Sequence, residues 1–269
     1  MPSQRSTSIK AAKPTTASAK KTVRMAALAL PVTTMETGLS PRTVNQSNEL
    51  IEAAYSLTLN EKRLLLMAAT QIDPRKPPTR NIGIQVTATD FADMYGITSR
   101  GHAYEALEDA AVRLYERSIR SIARTKRGIP VEERRWLTGR AVYEDGMVLL
   151  EFNEGVLQYM TMFSEQFTSY KLQQVSQLSS FYAIRFYEIA AQCKRVGERY
   201  LPLETLRDML DLGDKYASVK DLRRWVIDPA MQEITSTSDL SVQAEPVREG
   251  RKVIGFKLIV GQPQQRSLL

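Results

Sequence analysis

The sequence predicts an α+β protein with two like halves, each built from three helices followed by a β-hairpin. Three observations predict this fold class: an internal repeat with a long period, helical spacing of apolar residues followed by strand-like alternation in each half, and turn residues that suit tight hairpins. So long a period indicates two domains, because the units of solenoid proteins are far shorter.

The internal repeat keeps a constant offset across two predicted helices and the loop that joins them. Positions 115 residues apart carry similar apolar side chains, in the pairs Phe91 and Leu206, Met94 and Met209, Leu107 and Leu222, Val112 and Ile227, and Ile119 and Ile234. Upstream the offset is 122, at which Arg63 aligns with Arg185. The difference of 7 falls in the proline-rich connection at 73–78, which we interpret as a longer loop in the first half.

Charge is unevenly distributed along the chain. The net charge is +7, and residues 1–44 alone hold seven Lys or Arg against one Glu. We expect a disordered basic leader at 1–43, because this segment is rich in Ser, Thr, Ala and Lys and lacks periodicity. Two basic clusters remain, with nine Lys or Arg against three Glu at 113–140 and four against one at 248–257. Such clustering predicts a surface that faces a polyanion.

The first half, residues 44–153, reads as three helices and then strands. A helix begins at Leu59, a short strand follows near Ile84, and Thr89 caps the next helix. The third helix carries one apolar stripe, formed by Ala103, Leu107, Ala110 and Leu114. The strand-like segments are 118–123, 135–143 and 147–152. Asp145-Gly146 predicts a hairpin turn between the last two.

The second half, residues 179–262, repeats this order. Its third helix buries Val219, Leu222 and Val226, and Asp228-Pro229 is expected to break the helix, with Asp228 capping a new segment. A hairpin with its turn at 248–250 follows. Residues 154–178 read as an amphipathic connecting helix, and 263–269 as a tail.

Two short helices that close on a third, followed by a hairpin, are typical of a winged helix-turn-helix. The third helix of that fold can enter the major groove while the hairpin wing follows the phosphates. The sequence therefore predicts two tandem winged-helix domains, mostly helical.

Candidate DNA-binding residues of the second domain lie on its third helix and its wing. They are Lys215, Ser218, Lys220, Arg223, Arg224, Arg248, Arg251 and Lys252. Arginine can direct two donors to a guanine edge, and lysine commonly contacts phosphate. The competing interpretation is a solvated basic face on which Arg224 pairs with Asp221 or Asp228.

The first domain is the weaker candidate for DNA binding. Its third helix exposes Glu105, Glu108 and Asp109, which repel phosphate. The candidate contacts are Arg100, Arg113, Arg117, Arg124, Lys126, Arg127, Arg134 and Arg135. Our hypothesis is that the second domain reads bases, while the first contacts the DNA backbone or forms a dimer.

The residue inventory argues against catalysis, a metal site or a cofactor. The chain has one cysteine, Cys193, and one histidine, His102. A single histidine does not supply the metal-binding pair of a nicking enzyme, and these two residues do not make a zinc site. No phosphate-cradling Gly-x-x-x-x-Gly-Lys-Ser/Thr loop is found. We therefore expect a non-enzymatic protein of a reducing cytoplasm without an internal disulfide.

Several separated motifs resemble those of theta-type plasmid replication initiators. The motifs are the runs at 59–65, 167–172, 182–188, 221–230 and 250–256, in order along about residues 44–260. The resemblance implies twin winged-helix domains that bind repeated origin sequences (iterons) on double-stranded DNA, help to open the duplex and recruit host replication proteins such as helicase and the host initiator. It also implies repression of the protein's own gene as a dimer. Lys220, Arg223 and Arg224 match the basic positions of the family's second-domain helix.

Two other functions remain open at this point. A dedicated transcriptional repressor with the same fold would share every feature except the motifs, whereas a nicking enzyme is disfavoured by the single histidine. The DNA beside the coding region discriminates between the first two, because direct repeats at whole helical turns favour an initiator and a single inverted repeat favours a repressor.

Overall fold

The structure is a computed structural model that describes residues 32–33, 42–76, 83–122, 131–161 and 166–262. Most of the leader, the tail at 263–269 and the candidate residues Arg124, Lys126 and Arg127 lie outside these ranges. Within the expected leader, Val32–Thr33 form a short strand. They pair in parallel with Gly83 and Ile84.

Helices and strands alternate in the order that two winged-helix units require. The helices are α1 (Asn48–Glu52), α2 (Leu59–Ala69), α3 (Ala88–Tyr95), α4 (Arg100–Glu116), α5 (Glu154–Leu157), α6 (Gln173–Ser176), α7 (Phe181–Gln192), α8 (Leu203–Met209), α9 (Val219–Leu222) and α10 (Asp228–Thr237). A 3-10 turn at Gln158–Met160 follows α5, and a π-helical turn at Arg223–Ile227 joins α9 to α10. The strands are β1 (Val32–Thr33), β2 (Thr43–Ser47), β3 (Gly83–Thr87), β4 (Ser118–Ile122), β5 (Val131–Arg135), β6 (Leu137–Val142), β7 (Met147–Phe152), β8 (Phe167–Lys171), β9 (Glu198–Pro202), β10 (Ser241–Glu249) and β11 (Lys252–Gly261).

Each half contains a sheet whose hairpin forms the wing. In the first half the strand order is β1-β3-β7-β6, and β6 and β7 form the hairpin. In the second half the order is β10-β11-β9, and the hairpin is β10 and β11. Gly146 and Gly250 occupy the two hairpin turns with φ of 86° and 58°, a conformation that glycine adopts without strain. Both predicted hairpins are confirmed.

The repeat offsets predicted from sequence correspond to matching elements in the structure. Helices α2 and α7 begin 122 residues apart, at Leu59 and Phe181. Strands β3 and β9, and helices α3 and α8, begin at the offset of 115. The offset fails at its last pair, because Ile119 lies in a strand whereas Ile234 lies in a helix.

The structure also departs from the prediction at Asp228-Pro229. The helix that starts at Val219 does not break there but continues through the π-helical turn into α10. Asp228 has helical φ and ψ of −61° and −42°, so the prediction that it caps a new helix is wrong. Proline is tolerated because it sits in the first turn of α10, where it does not remove a required hydrogen bond.

The predicted connecting helix at 154–178 is also wrong. This segment contains α5, a 3-10 turn, β8 and α6. Strand β8 pairs antiparallel with β2 and alternates strictly, with Thr168 and Tyr170 buried and Phe167, Ser169 and Lys171 exposed. An alternation of period two is that of a half-buried strand, and it was obscured by the apolar residues on either side.

A buried set of polar residues links α2 to α7, the helix at the equivalent position of the repeat, and we call it the buried joint: Tyr55, Lys62, Tyr170, Arg185 and Glu188. The Lys62 Nζ atom lies 2.7 Å from Glu188 Oε1, and Arg185 Nη1 lies 3.3 Å from Glu188 Oε2. The Tyr170 hydroxyl donates to Glu188, while Tyr55 accepts from both cations. All three charged side chains are 0% exposed. Charges so deeply buried require satisfied partners, and here they obtain them from α2, β8 and α7 together.

Two arginines at equivalent positions of the repeat reinforce the buried joint. Arg63 on α2 donates to the carbonyl of Leu178, just before α7. Arg185 on α7 donates to the carbonyl of Ala53, before α2. Helix α2 therefore holds the segment that leads into α7, and α7 holds the segment that leads into α2. Among the described helices, none combines the length and apolarity that a membrane crossing requires.

Candidate nucleic-acid interface

The reading helix is the continuous segment Val219–Thr237, formed by α9, the π-helical turn and α10. Ser218 begins it, because its hydroxyl accepts a hydrogen bond from the Lys220 backbone N–H at 3.2 Å. Leu222 and Val226 are buried and anchor the helix to the core, as predicted, whereas Val219, predicted to be buried with them, is half-buried. The opposite face, which includes Lys220, is exposed.

The turn before the reading helix is held by Arg207 of α8. Its guanidinium donates to the carbonyls of Gly213, Lys215 and Tyr216 at 2.7, 2.9 and 2.8 Å. Tyr216 has a φ of 51°, which is strained for a residue with a side chain, so the turn needs external support. Sequence analysis did not identify Arg207. An arginine in the last turn of a helix before a glycine-containing turn was the available signal.

The wing extends from the sheet as the long hairpin of β10 and β11. Its register shifts between Val247 and Arg248, which introduces a bulge before the turn. Arg248, Arg251 and Lys252 are exposed around this turn. The wing therefore carries three cations into solvent, as predicted.

An open groove of about 480 Å³ lies between the reading helix and the wing, and we call it the reading groove. Its lining residues are Val219, Lys220, Arg223, Arg224, Asp228, Pro246, Arg248 and Val253. Four cations face one carboxylate, so the groove is strongly positive and favours a polyanion. The structure thus brings together Lys220, Arg223, Arg224 and Arg248, while Lys215 and Ser218 flank the start of the reading helix.

Internal pairing leaves most of this charge available. Arg223 Nη2 lies 3.2 Å from Asp228 Oδ1 in a solvent-exposed ion pair, which contributes little and can open. The sequence alternative had assigned such pairing to Arg224. Within the described part of the chain, Lys220 and Arg224 form no ion pair.

Trp225 is a surface residue of the reading helix that sequence analysis missed. Its side chain is 58% exposed. The Arg224 guanidinium lies over the indole, with its carbon 4.8 Å from the ring centroid. The available signal was a tryptophan beside two arginines on a helix whose apolar stripe was already complete without it.

Most of the candidate DNA-binding arginines of the first domain that the structure describes form ion pairs within the protein. The ion pairs are Arg113 with Asp109 at 2.9 Å, Arg117 with Glu61 at 3.2 Å, Arg134 with Glu132 at 3.0 Å and Arg135 with Glu116 at 3.2 Å. Glu61 is fully buried and also completes the capping box of α2, so Arg117 is tied to the fold. Arg100 is exposed in the first turn of α4.

The first-domain surface that corresponds to the reading groove is acidic. Glu105 and Asp109 are exposed on α4, and Glu144 and Asp145 are exposed at the turn of its wing. The wing turn contacts α4, since a Cβ placed on Gly146 would meet the Tyr104 ring at 3.4 Å. The two copies therefore share a fold but present opposite charge at equivalent places.

Metal and thiol chemistry find no support in the described ranges. No group of three or more His, Cys, Asp or Glu side chains there is arranged to hold a metal ion. Cys193 is buried, and its burial raises the pKa of the thiol, which keeps it protonated and unreactive.

Two family models match the chain. One, described as Initiator Replication protein, WH1, matches residues 43–191, and the other, Initiator Rep protein, WH2, matches residues 202–260. The first match runs through α7, the helix that carries Arg185 and Glu188 of the buried joint.

Two curated proteins of Escherichia coli are similar in sequence. A "Replication initiation protein" is 25% identical over 211 residues, which cover 76% of this chain and 65% of that protein. An "Uncharacterized 27.6 kDa protein" is 28% identical over 214 residues, which cover 73% of this chain and 86% of that protein. The chain thus spans slightly less than two thirds of the length of the first.

A solved structure has the same fold. "Pi initiator protein in complex with iteron DNA" matches with a TM-score of 0.68 and 21% identity, over 83% of this chain and 99% of that one. At this identity the match establishes two tandem winged-helix domains, and the DNA belongs to that complex.

Proposed function

The chain belongs to the initiator replication protein family, with both its WH1 and WH2 domains, and we propose that it is a plasmid replication initiator. In this proposal it binds the repeated sequences (iterons) of its origin as double-stranded DNA, helps to open the duplex and recruits host replication proteins such as helicase and the host initiator. It also represses its own gene and acts in the bacterial cytoplasm by binding rather than by catalysis.

The observation that carries this proposal is the reading groove. A helix and a wing that share four cations match the two elements with which a winged helix contacts DNA. The reading helix enters the major groove, where Arg223 and Arg224 direct paired donors to base edges. Arg248, Arg251 and Lys252 of the wing contact phosphates, and Lys215 and Ser218 contact the backbone where the helix begins.

The first domain has a different part in the proposal. Its acidic α4 disfavours base reading, so it serves as the dimer contact and as a clamp on the DNA backbone. The clamp residues are Arg100, Arg113, Arg124, Lys126, Arg127, Arg134 and Arg135. We remove Arg117 from this set, because its pairing with buried Glu61 gives it a structural role.

A transcriptional repressor with the same fold is the rival function, and the family match favours the initiator. The test is a footprint of the full chain on the DNA beside its gene. Protection of several direct repeats next to an A·T-rich stretch is the expected result, whereas protection of one inverted repeat at the promoter alone would establish the repressor.

Alanine variants assign the two roles. R223A/R224A should lose about 1–3 kcal/mol of base discrimination per arginine, so that specific binding approaches nonspecific binding. K126A/R127A should weaken binding to all sequences alike and lower the log–log salt slope by roughly one unit per lost contact. R195A, an exposed arginine outside the reading groove, is the matched control. The reverse pattern would contradict the assignment.

A further inference from the structure

Trp225 is a large apolar side chain that the fold leaves in solvent on the reading helix. It is more than half exposed, although Val226 and Ile227 beside it are buried. An exposed indole loses the hydrophobic stabilisation of burial, and tryptophan is a residue type enriched at binding interfaces.

The position of Trp225 beside the reading groove suggests that its partner is the DNA. Arg224 lines the groove and its guanidinium lies over the indole, whereas Trp225 does not line the groove. Trp225 therefore extends the DNA-facing surface beyond Arg224. Asp221 lies one helical turn earlier on the same flank and is exposed, which disfavours a phosphate there and favours an apolar surface.

We propose that Trp225 is part of the DNA-reading surface. Its exposed ring packs against the apolar surface of the major groove, provided by a thymine methyl or a deoxyribose ring, and it positions Arg224 for a base edge. This inference rests on the proposed function and adds to it a specificity residue outside the basic set.

The contact between the indole and the guanidinium explains how Trp225 can orient Arg224. A guanidinium that lies on an indole keeps its N–H donors in its own plane, so they remain free for a base. The ring restricts the rotamers of a long side chain before the DNA arrives, which lowers the entropy cost of binding. Arg224 is thereby preorganised without an ion pair that DNA would have to break.

The chain supplies its own probe, because it has two tryptophans and Trp136 is fully buried. Fluorescence of the full chain is measured with a duplex that carries one origin repeat and with a scrambled duplex, and W225F provides the Trp136 background. We expect acrylamide quenching of Trp225 to fall several-fold in the specific complex and less in the scrambled one. Unchanged quenching in a saturated specific complex would overturn the proposal.

A double-mutant cycle tests the positioning role. W225A and R224A should each lower specific affinity about tenfold, and the double variant should lose less than the product of the two. R224K should resemble R224A, because an ammonium retains the charge but not the planar stack. Circular dichroism should be unchanged for W225A, since the residue is exposed. A fully multiplicative loss would remove the positioning role.

Duplexes with uracil in place of single thymines separate the two apolar sources. If a methyl is the contact, one substitution weakens binding of the wild type but not of W225A. If a deoxyribose is the contact, W225A weakens binding equally on every such duplex. Failure of the wild type to bind any origin duplex would refute the proposed function itself, whereas binding that leaves Trp225 open to acrylamide would refute only this inference.

Discussion

Glu188 is a carboxylate buried between two cations, and its ionisation decides whether the buried joint holds. Burial alone would raise its pKa, but Lys62, Arg185 and two hydrogen bonds outweigh burial and hold the pKa below its ordinary value of 4.5. A carboxyl whose folded pKa is depressed stabilises the protein above its unfolded pKa. That stability is lost as pH falls through the folded pKa.

E188Q should therefore lower the free energy of unfolding at neutral pH by about 3–5 kcal/mol, because it leaves two buried cations without their counter-charge. Urea midpoints measured from pH 7 to pH 3 provide the check. The difference between wild type and E188Q should be constant above pH 4.5 and shrink below it, as Glu188 itself becomes neutral. The double variant K62M/E188Q should be less damaged than E188Q, and an equal or larger loss would argue against the coupling.

Some residues of the candidate site could be predicted from the sequence, and others could not. Lys220, Arg223 and Arg224 were predicted to lie opposite the core because apolar spacing identified the buried face, and all three line the reading groove. Trp225 was not found, because an apolar residue is assigned to the core by default and only the packed structure shows it in solvent. Arg207 was not found, because its three acceptors are backbone carbonyls, which a list of side chains does not reveal.

At the level of elements, the turn between α8 and the reading helix depends on Arg207. R207A removes three charge-assisted hydrogen bonds from a turn with strained backbone, so the start of the reading helix should become mobile. We expect specific DNA affinity to fall about tenfold although Arg207 lies outside the reading groove. Gel-shift titration measures this loss, and amide hydrogen exchange at 213–219 should rise.

R207K is the informative companion variant. It keeps the positive charge but lacks the planar fork that reaches three carbonyls, so it should resemble R207A. Wild-type affinity in R207K would show that charge near the DNA, and not support of the turn, is what matters.

The elements themselves were predicted where a single period ran long enough to be recognised. Helix α4 has a single apolar stripe, α2 and α7 are long, mostly buried helices rich in apolar residues, and both wings end at glycine turns. Strand β8 was missed because five alternating residues lie between apolar segments that mimic helical spacing. The π-helical turn at Arg223–Ile227 was missed because it depends on how Pro229 is accommodated after it, a consequence of packing rather than of local propensity.

At the scale of the whole molecule, several polar contacts hold the two halves against each other. Besides the buried joint, Arg120 on β4 pairs with Asp211 after α8, and Arg199 Nη2 on β9 lies 2.7 Å from Glu52 Oε1 of α1. From these contacts we expect the two winged helices to keep one relative orientation and their DNA contacts to have a fixed separation along the duplex.

A five-base-pair insertion between the two contacted segments of one repeat should therefore abolish the contribution of the first domain. It turns one segment to the opposite side of the duplex, and a rigid protein does not follow. We expect affinity to fall to that of the second domain alone, about a hundredfold, as measured by gel shift. The same insertion outside the footprint is the control, and tolerance of the internal insertion would indicate that only one domain binds.

Arg63 and Arg185 each hold the segment that leads into the other's helix. Arg63 of α2 donates to the carbonyl of Leu178 before α7, and Arg185 of α7 donates to the carbonyl of Ala53 before α2. Withdrawal of either helix therefore breaks hydrogen bonds at both ends of the contact, so α2 and α7 should open as one cooperative unit rather than one after the other.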